Sequence, residues 1–284
     1  MQNHPIGLMD SGVGGLTVLR EIQRLLPTEE TVYLGDQGRL PYGPRSPEEV
    51  AQFTQQIEAF LERRHQIKLF VIACNTATAA ALPALRQRVK IPVVGVIVPG
   101  ARSAVQATRR HRIGVIATQG TVKSDQYRHQ IQALAPGDTV VSLATPDFVK
   151  LVEHNDLTSP QAFAAVARGL APFKHQDIDT LVMGCTHFPL LRAAIQAALG
   201  PDVALVDPGT ATAEMVTALL DYAGQANDTG VLHPATVTYT TGNPAQFDTL
   251  AQAWLTAPVL PAQPVSLATL EQATLEESSS WKKS

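Results

Sequence analysis

Leu69-Phe70-Val71-Ile72-Ala73-Cys74 and Thr180-Leu181-Val182-Met183-Gly184-Cys185 are two versions of one segment, an apolar run ending on a cysteine. The repeat extends outward from them in register, with the second copy about 110 residues beyond the first. Ile6-Gly7-Leu8-Met9-Asp10-Ser11 matches Ile113-Gly114-Val115-Ile116-Ala117-Thr118, and Thr31-Val32-Tyr33 matches Thr139-Val140-Val141. Ser46-Pro47 opens a stretch with apolar Val50, Phe53, Ile57, Phe60 and Leu61, and Ser159-Pro160 opens another with Phe163, Val166, Leu170 and Phe173. Both stretches have helical spacing behind an N-cap serine and a first-turn proline. Val98-Pro99-Gly100 matches Asp207-Pro208-Gly209. Each copy therefore reads strand, helix, strand, helix, strand, helix, strand, and the continuous apolar runs suit strands buried on both faces of a parallel sheet.

The fold class expected is α/β: two pseudo-symmetric doubly wound parallel-sheet lobes with the active site in the cleft between them. A strand at Thr236 to Thr240 and a helix from about Pro244 to Trp254 have no copy and are expected to pack back on the first lobe. The expected division is residues 1–98 with 208–284 for the first lobe and 99–207 for the second. From about Glu271 the chain turns polar and serine-rich, and a frayed tail is expected there.

Composition narrows the function classes. Apolar residues make up 45% and charged residues 17% of 284, the balance of a globular protein that needs no metal or disulfide to fold. The net charge of −3 leaves no basic stripe for a phosphate backbone, so no nucleic acid partner is expected. The one basic run, Arg109-Arg110-His111-Arg112, reads as a solvated helix end. Met1-Gln2-Asn3-His4-Pro5 lacks the pattern of a signal peptide, and Ile91 to Ala101, broken by prolines and glycines, is too short to span a bilayer. A cytoplasmic protein without membrane attachment is expected. In that reducing compartment Cys74 and Cys185, the only cysteines, stay as thiols.

Ligands of open parallel α/β sheets sit beyond the carboxyl ends of the strands. The first lobe presents Asp10-Ser11, Gly35-Asp36 and Cys74-Asn75-Thr76 there; the second presents Thr118, Thr145 and Cys185-Thr186-His187. A single buried cysteine is usually packing. Two at one repeat position, each before a helix and followed by hydroxyl-bearing residues, point instead to reactive groups, because a helix N-terminus favours a thiolate and can hold a carboxylate. Thiols facing each other suit inversion at an amino-acid α-carbon, where one removes a proton and the other returns one. A free thiol titrates near about 8.5, so a pair with one member ionised is within reach. Asp10 and His187 stand where they can assist the first and second thiol; on spacing alone a helix cap or a structural hydrogen bond explains each equally well.

Asp10-Ser11-Gly12-Val13-Gly14-Gly15-Leu16, Pro41-Tyr42-Gly43, Cys74-Asn75-Thr76-Ala77 and Gly184-Cys185-Thr186-His187-Phe188-Pro189-Leu190-Leu191 resemble the signatures of the glutamate racemases, within the aspartate/glutamate racemase family. The resemblance covers almost the whole chain. Aspartate racemases share the two-cysteine plan but lack the Asp-Ser-Gly-x-Gly-Gly opening. It implies interconversion of L- and D-glutamate, supplying D-glutamate for peptidoglycan, with no cofactor and no metal. It implies Cys74 and Cys185 as the acid/base pair, Cys74 acting on D-glutamate and Cys185 on L-glutamate. Around the substrate it implies Asp10, Ser11, Tyr42, Gly43, Asn75, Thr76, Thr186 and His187, with Thr118, Thr121 and Glu153 as further site residues. Gln37-Gly38 and Thr145 depart from the family's usual Thr-Ala and cysteine. A homodimer is the default assembly for such an enzyme.

Rival readings fare less well on the residues. Gly12-Val13-Gly14-Gly15-Leu16-Thr17 lacks the third glycine of a dinucleotide fingerprint, and a thiol hydrolase built on Cys185 and His187 leaves Cys74 idle. A zinc site is disfavoured by dispersed histidines and the absence of C-x-x-C or H-E-x-x-H. Two readings stay open: a racemase of aspartate or a related amino acid, and a non-enzymatic small-molecule binding protein.

Overall fold

The computed structural model describes residues 2–281, with side chains as far as residue 275. Its first half runs β1 (Ile6–Asp10), α1 (Leu16–Leu25), β2 (Thr31–Gly35), α2 (Pro47–His65), β3 (Leu69–Ile72), α3 (Asn75–Arg88), β4 (Val93–Gly95) and α4 (Ile97–Ala107). The second copy runs β5 (Arg112–Ala117), α5 (Gln119–Ser124), α6 (Gln126–Leu134), β6 (Thr139–Ala144), α7 (Pro146–Glu153), α8 (Pro160–Leu170), β7 (Thr180–Gly184), α9 (Arg192–Leu199), β8 (Ala204–Val206) and α10 (Pro208–Ala223). Then follow β9 (Val237–Thr240), α11 (Pro244–Trp254), β10 (Gln263–Pro264) and α12 (Leu267–Trp281).

The two sheets share one strand order. The first contains β2-β1-β3-β4 and the second is β6-β5-β7-β8, with every pairing parallel. On the first sheet β9 adds beside β2, and β10 beside β9, also parallel. Every residue of β1, β2, β3 and β7 is buried, as continuous apolar strands covered on both faces must be. The repeat extends to single glycines. A Cβ on Gly7 of β1 would stand 2.6 Å from Ile67 Cδ1, and one on Gly114 of β5 would stand 2.7 Å from Ile178 Cδ1. In both lobes the central strand yields room to the isoleucine that leads into its neighbour.

The serine caps read from sequence form. Ser46 Oγ accepts from Glu49 N while the Glu49 carboxylate accepts from Ser46 N, and Ser159 Oγ accepts from Ala162 N at 3.0 Å. The basic run lies mostly in the turn between α4 and β5, where Asp179 accepts from the backbone N–H groups of Arg109 and Arg110. No helix among the described residues is long and apolar enough to cross a membrane.

The expected frayed tail is corrected. Residues 267–281 form α12, which lies along α2 with Leu270 and Ala273 buried. Two apolar anchors three residues apart face α2 while Leu267 and Leu275 of the same helix stay exposed, a pattern that average composition hides. The last three residues of that expected tail fall outside the described residues.

Helix α10 packs on α1 and α4, and one apolar cluster contains Val13 and Leu16 of the first lobe with Val152, Cys185 and Phe188 of the second. This seam holds the carboxyl ends of β1, β3, β5 and β7 around one space.

Candidate active site

A cavity of about 220 Å³ opens between the lobes. Ser11, Cys74, Asn75 and Thr76 line it from the first lobe, and Thr118, Cys185, Thr186 and His187 from the second, with Tyr42 and Gly43 on a loop between. Ten residues expected around a ligand thus meet in one place. Asp10, Thr121 and Glu153 do not line the cavity; each stands behind a residue that does.

Cys74 caps the N-terminus of α3 and is buried. Its S–H donates to Ser11 Oγ at 3.8 Å, and the Ser11 hydroxyl donates to Asp10 Oδ1 at 3.3 Å. Asp10 therefore meets the first thiol through a serine. Its other contacts hold it still: Oδ1 accepts from Gly12 N at 2.8 Å and Oδ2 from Thr186 Oγ1 at 3.0 Å, across the seam. Burial raises the Asp10 carboxyl above its ordinary value, although the charge of His187 and these donors pull the other way. The helix N-terminus was expected to favour a Cys74 thiolate. Burial first, and the negative charge of Asp10 after it, outweigh that effect and push the thiol up to about 12. At rest Cys74 is protonated.

Cys185 follows β7, but the helix expected straight after it is replaced by a tight 3-10 turn at Phe188–Leu191, and α9 begins only at Arg192. Pro189 in that turn donates no backbone hydrogen bond. The polar partner of Cys185 is instead a side chain: His187 Nδ1 lies 3.6 Å from its Sγ, and His187 Nε2 lies 2.6 Å from Glu153 Oε1 at the end of α7. Burial opposes a charge on this imidazole. The hydrogen bonds to Cys185 and Glu153, and their charges, overcome it and hold its pKa well above the ordinary range. A charged imidazolium thus stands beside the second sulfur, oriented by a carboxylate behind it.

The remaining expected residues divide into surfaces and supports. Thr76, Thr118 and Thr121 join their hydroxyls across the lobes at 2.9, 3.3 and 3.1 Å, with Thr121 underneath. Gly43 closes over Thr118: a Cβ there would stand 3.1 Å from Thr118 Cβ. The Tyr42 hydroxyl is already committed to Asp36, which also accepts from Arg39 at 2.6 Å and from Thr241 at 2.7 Å. Tyr42 thereby secures its loop. Among the described residues no group of three or more His, Cys, Asp or Glu is gathered as a metal site would require.

Six lining residues were not singled out in the sequence: Leu40, Pro44, Gln119, Pro146, Val149 and Lys150. Three of them, with Glu153, occupy positions i, i+3, i+4 and i+7 of α7 and so form one stripe facing the site. That spacing was visible, but a mixed stripe of Pro, Val, Lys and Glu looks like any half-exposed helix face.

Comparison with known proteins gives one answer along nearly the whole chain. Residues 6–216 match the family model described as Asp/Glu/Hydantoin racemase. A glutamate racemase of Levilactobacillus brevis is 61% identical over 275 residues, 95% of this chain and 98% of that protein. The crystal structure of a glutamate racemase isoform from Bacillus anthracis superposes with a TM-score of 0.90 at 41% identity, covering 94% of this chain and 99% of that one. A glutamate racemase from Francisella tularensis, solved in complex with D-glutamate, gives a TM-score of 0.86 at 32% identity, covering 94% of this chain and 99% of that one.

Proposed function

The chain belongs to the Asp/Glu/Hydantoin racemase family, and on that premise we propose that it interconverts L- and D-glutamate by exchanging protons between Cys74 and Cys185, without a cofactor. The observation that carries the reading is that two sulfurs, one from each lobe, line the same cavity with different partners. In the direction that starts from L-glutamate, the Cys185 sulfur as thiolate takes the α-proton, forming its S–H bond and leaving the electron pair on the α-carbon. The Cys74 S–H bond then breaks, and its proton is delivered to the opposite face. D-Glutamate leaves, with Cys74 as the thiolate and Cys185 as the thiol, and the reverse reaction starts from that state.

The partners suit these parts. Cys74 rests as the acid because burial holds its thiol near about 12. When it has given up its proton, the Ser11 hydroxyl that accepted from it can turn and donate to the thiolate, since a hydroxyl does either. The His187 charge accompanies the Cys185 sulfur, and Glu153 holds that charge in place. Carboxylates of the substrate meet the N-terminus of α3, the Asn75 amide, and the hydroxyls of Ser11, Thr76, Thr118 and Thr186, with Gly43 covering them. The tight opening motif Asp10-Ser11-Gly12 favours glutamate over aspartate by family resemblance. The same reading takes D-glutamate to peptidoglycan synthesis, in the cytoplasm, from a homodimer.

Purified, metal-free protein incubated with L-glutamate should lose circular dichroism to zero without pyridoxal phosphate, and the same protein should turn over aspartate more slowly. An absolute need for a metal or for pyridoxal phosphate would sink the two-thiol chemistry, and equal turnover of aspartate would sink the substrate assignment. Sedimentation velocity tests the dimer.

A further inference from the structure

Tyr127, on α6 of the second lobe, is buried and sends its hydroxyl across the seam to Asn75 Oδ1 at 2.7 Å. The path is cleared by two glycines. A Cβ on Gly184, the residue before Cys185, would stand 3.0 Å from Tyr127 Cε2, and one on Gly100 would stand 3.2 Å from the hydroxyl. Asn75 is itself buried, lines the cavity, and follows Cys74 at the start of α3. With its carbonyl oxygen taken by the phenol, the amide has its two N–H donors left, and among the described residues Nδ2 has no protein partner.

An amide can turn over and exchange its oxygen for its nitrogen with almost no change of shape. The two orientations differ completely toward an anion: one offers donors, the other a second negative oxygen. A phenol that donates to the oxygen selects the first. Here the phenol keeps its proton, because burial, then the nearby Asp207 and Cys185, raise its pKa, and it donates that proton to the Asn75 oxygen.

We infer that Tyr127 is a positioning residue that locks the Asn75 amide with its N–H groups toward a substrate carboxylate, so that the second lobe sets the donor array of the first. The inference rests on the racemase reading of the cavity. It also explains why the ring occupies a slot between two glycines beside Cys185: the phenol ties the first lobe's Asn75 to the segment that carries the second thiol.

The test is a double-mutant cycle on Tyr127→Phe and Asn75→Ala, reading kcat/KM and the binding of glutamate by calorimetry. Tyr127→Phe removes one oxygen from a packed ring. It should weaken glutamate binding and lower kcat/KM by about tenfold, the loss expected for misdirecting a hydrogen bond to a charged group. The positions of the limbs of the pH profile should not move. In the Asn75→Ala background Tyr127→Phe should add less than about twofold, because no amide remains to be oriented. A lowered melting temperature with unchanged glutamate affinity, or independent losses that multiply, would overturn the inference and leave the racemase reading intact. Wild-type protein that neither binds nor racemises glutamate would overturn both.

Discussion

Glu153→Gln removes a charge and keeps a shape, and its consequence is worked from the His187 hydrogen bonds. Burial alone would lower the imidazole pKa; the bonds to Cys185 and Glu153 reverse the sign. Nε2 lies 2.6 Å from Glu153 Oε1, and the glutamine oxygen can accept the same bond. What disappears is the charge assistance, roughly 1–2 kcal/mol as the difference between a charged and a neutral hydrogen bond. This lowers the His187 pKa back toward its ordinary value. Because the folded pKa lies above the unfolded value, the imidazolium contributes stability that is fully present below about 6.5 and is lost as pH rises through the folded pKa. The variant should therefore be less stable than the wild type at pH about 6, with the gap closing as pH rises through the two folded pKa values, the variant's first and the wild type's second. NMR titration of the His187 ring and the alkaline limb of kcat/KM, followed by circular dichroism of glutamate, should both move down together. If the ring titrates at the same pH in both proteins, Glu153 is not what holds the charge beside Cys185.

Cys74→Ser and Cys185→Ser should each fold and each lose at least about a thousandfold in racemisation, since the proposed exchange uses both groups in every turnover. In heavy water the wild type should place deuterium only in the newly formed enantiomer at early times; early label in the remaining starting enantiomer would mean one base serves both faces. Gly14→Ala would put a Cβ 2.5 Å from His187 Nδ1 and from Thr186 Oγ1, so kcat/KM should fall by about a hundredfold with the far-ultraviolet spectrum unchanged. Wild-type activity in that variant would show that the imidazole can give way without loss.

The repeat made the fold legible because it is written in burial. Strands enclosed on both faces need unbroken apolar runs, and Leu69 to Ala73 and Thr180 to Gly184 announce themselves whatever surrounds them. The cysteines were legible for a related reason, as polarisable residues at the same repeat position. What escaped depended on which of two opposing effects was larger. At Cys74 the helix N-terminus and the burial act in opposite directions, and only the packing around Asp10 decides that burial wins. At Cys185 a helix was expected where Phe188-Pro189-Leu190-Leu191 makes a tighter turn. Tyr127 was invisible because its partner lies on the other lobe, and α12 because Leu270 and Ala273 become anchors only when α2 is there to receive them.

Duplication gives the two thiols equivalent places, and its imperfections give them different surroundings. Where the first lobe has Asp10, the second has Ala117, and where the second has His187, the first has Thr76. A fully symmetric pair would give both sulfurs the same partners, with nothing to set apart the acid and the base of the proposed exchange. The substitutions break that tie: a carboxylate behind Cys74 adds to burial in keeping its proton on, while an imidazolium stands beside Cys185. The same residues also join the lobes, since Asp10 accepts from Thr186 and Thr76 bonds Thr118. The contacts between the lobes and the surroundings of the two sulfurs therefore share side chains. Asp10→Asn should disturb both at once, lowering the Cys74 pKa by removing the like charge and weakening the bond to Thr186. A variant in which the Cys74 thiol titrates as in the wild type would show that burial alone holds its proton.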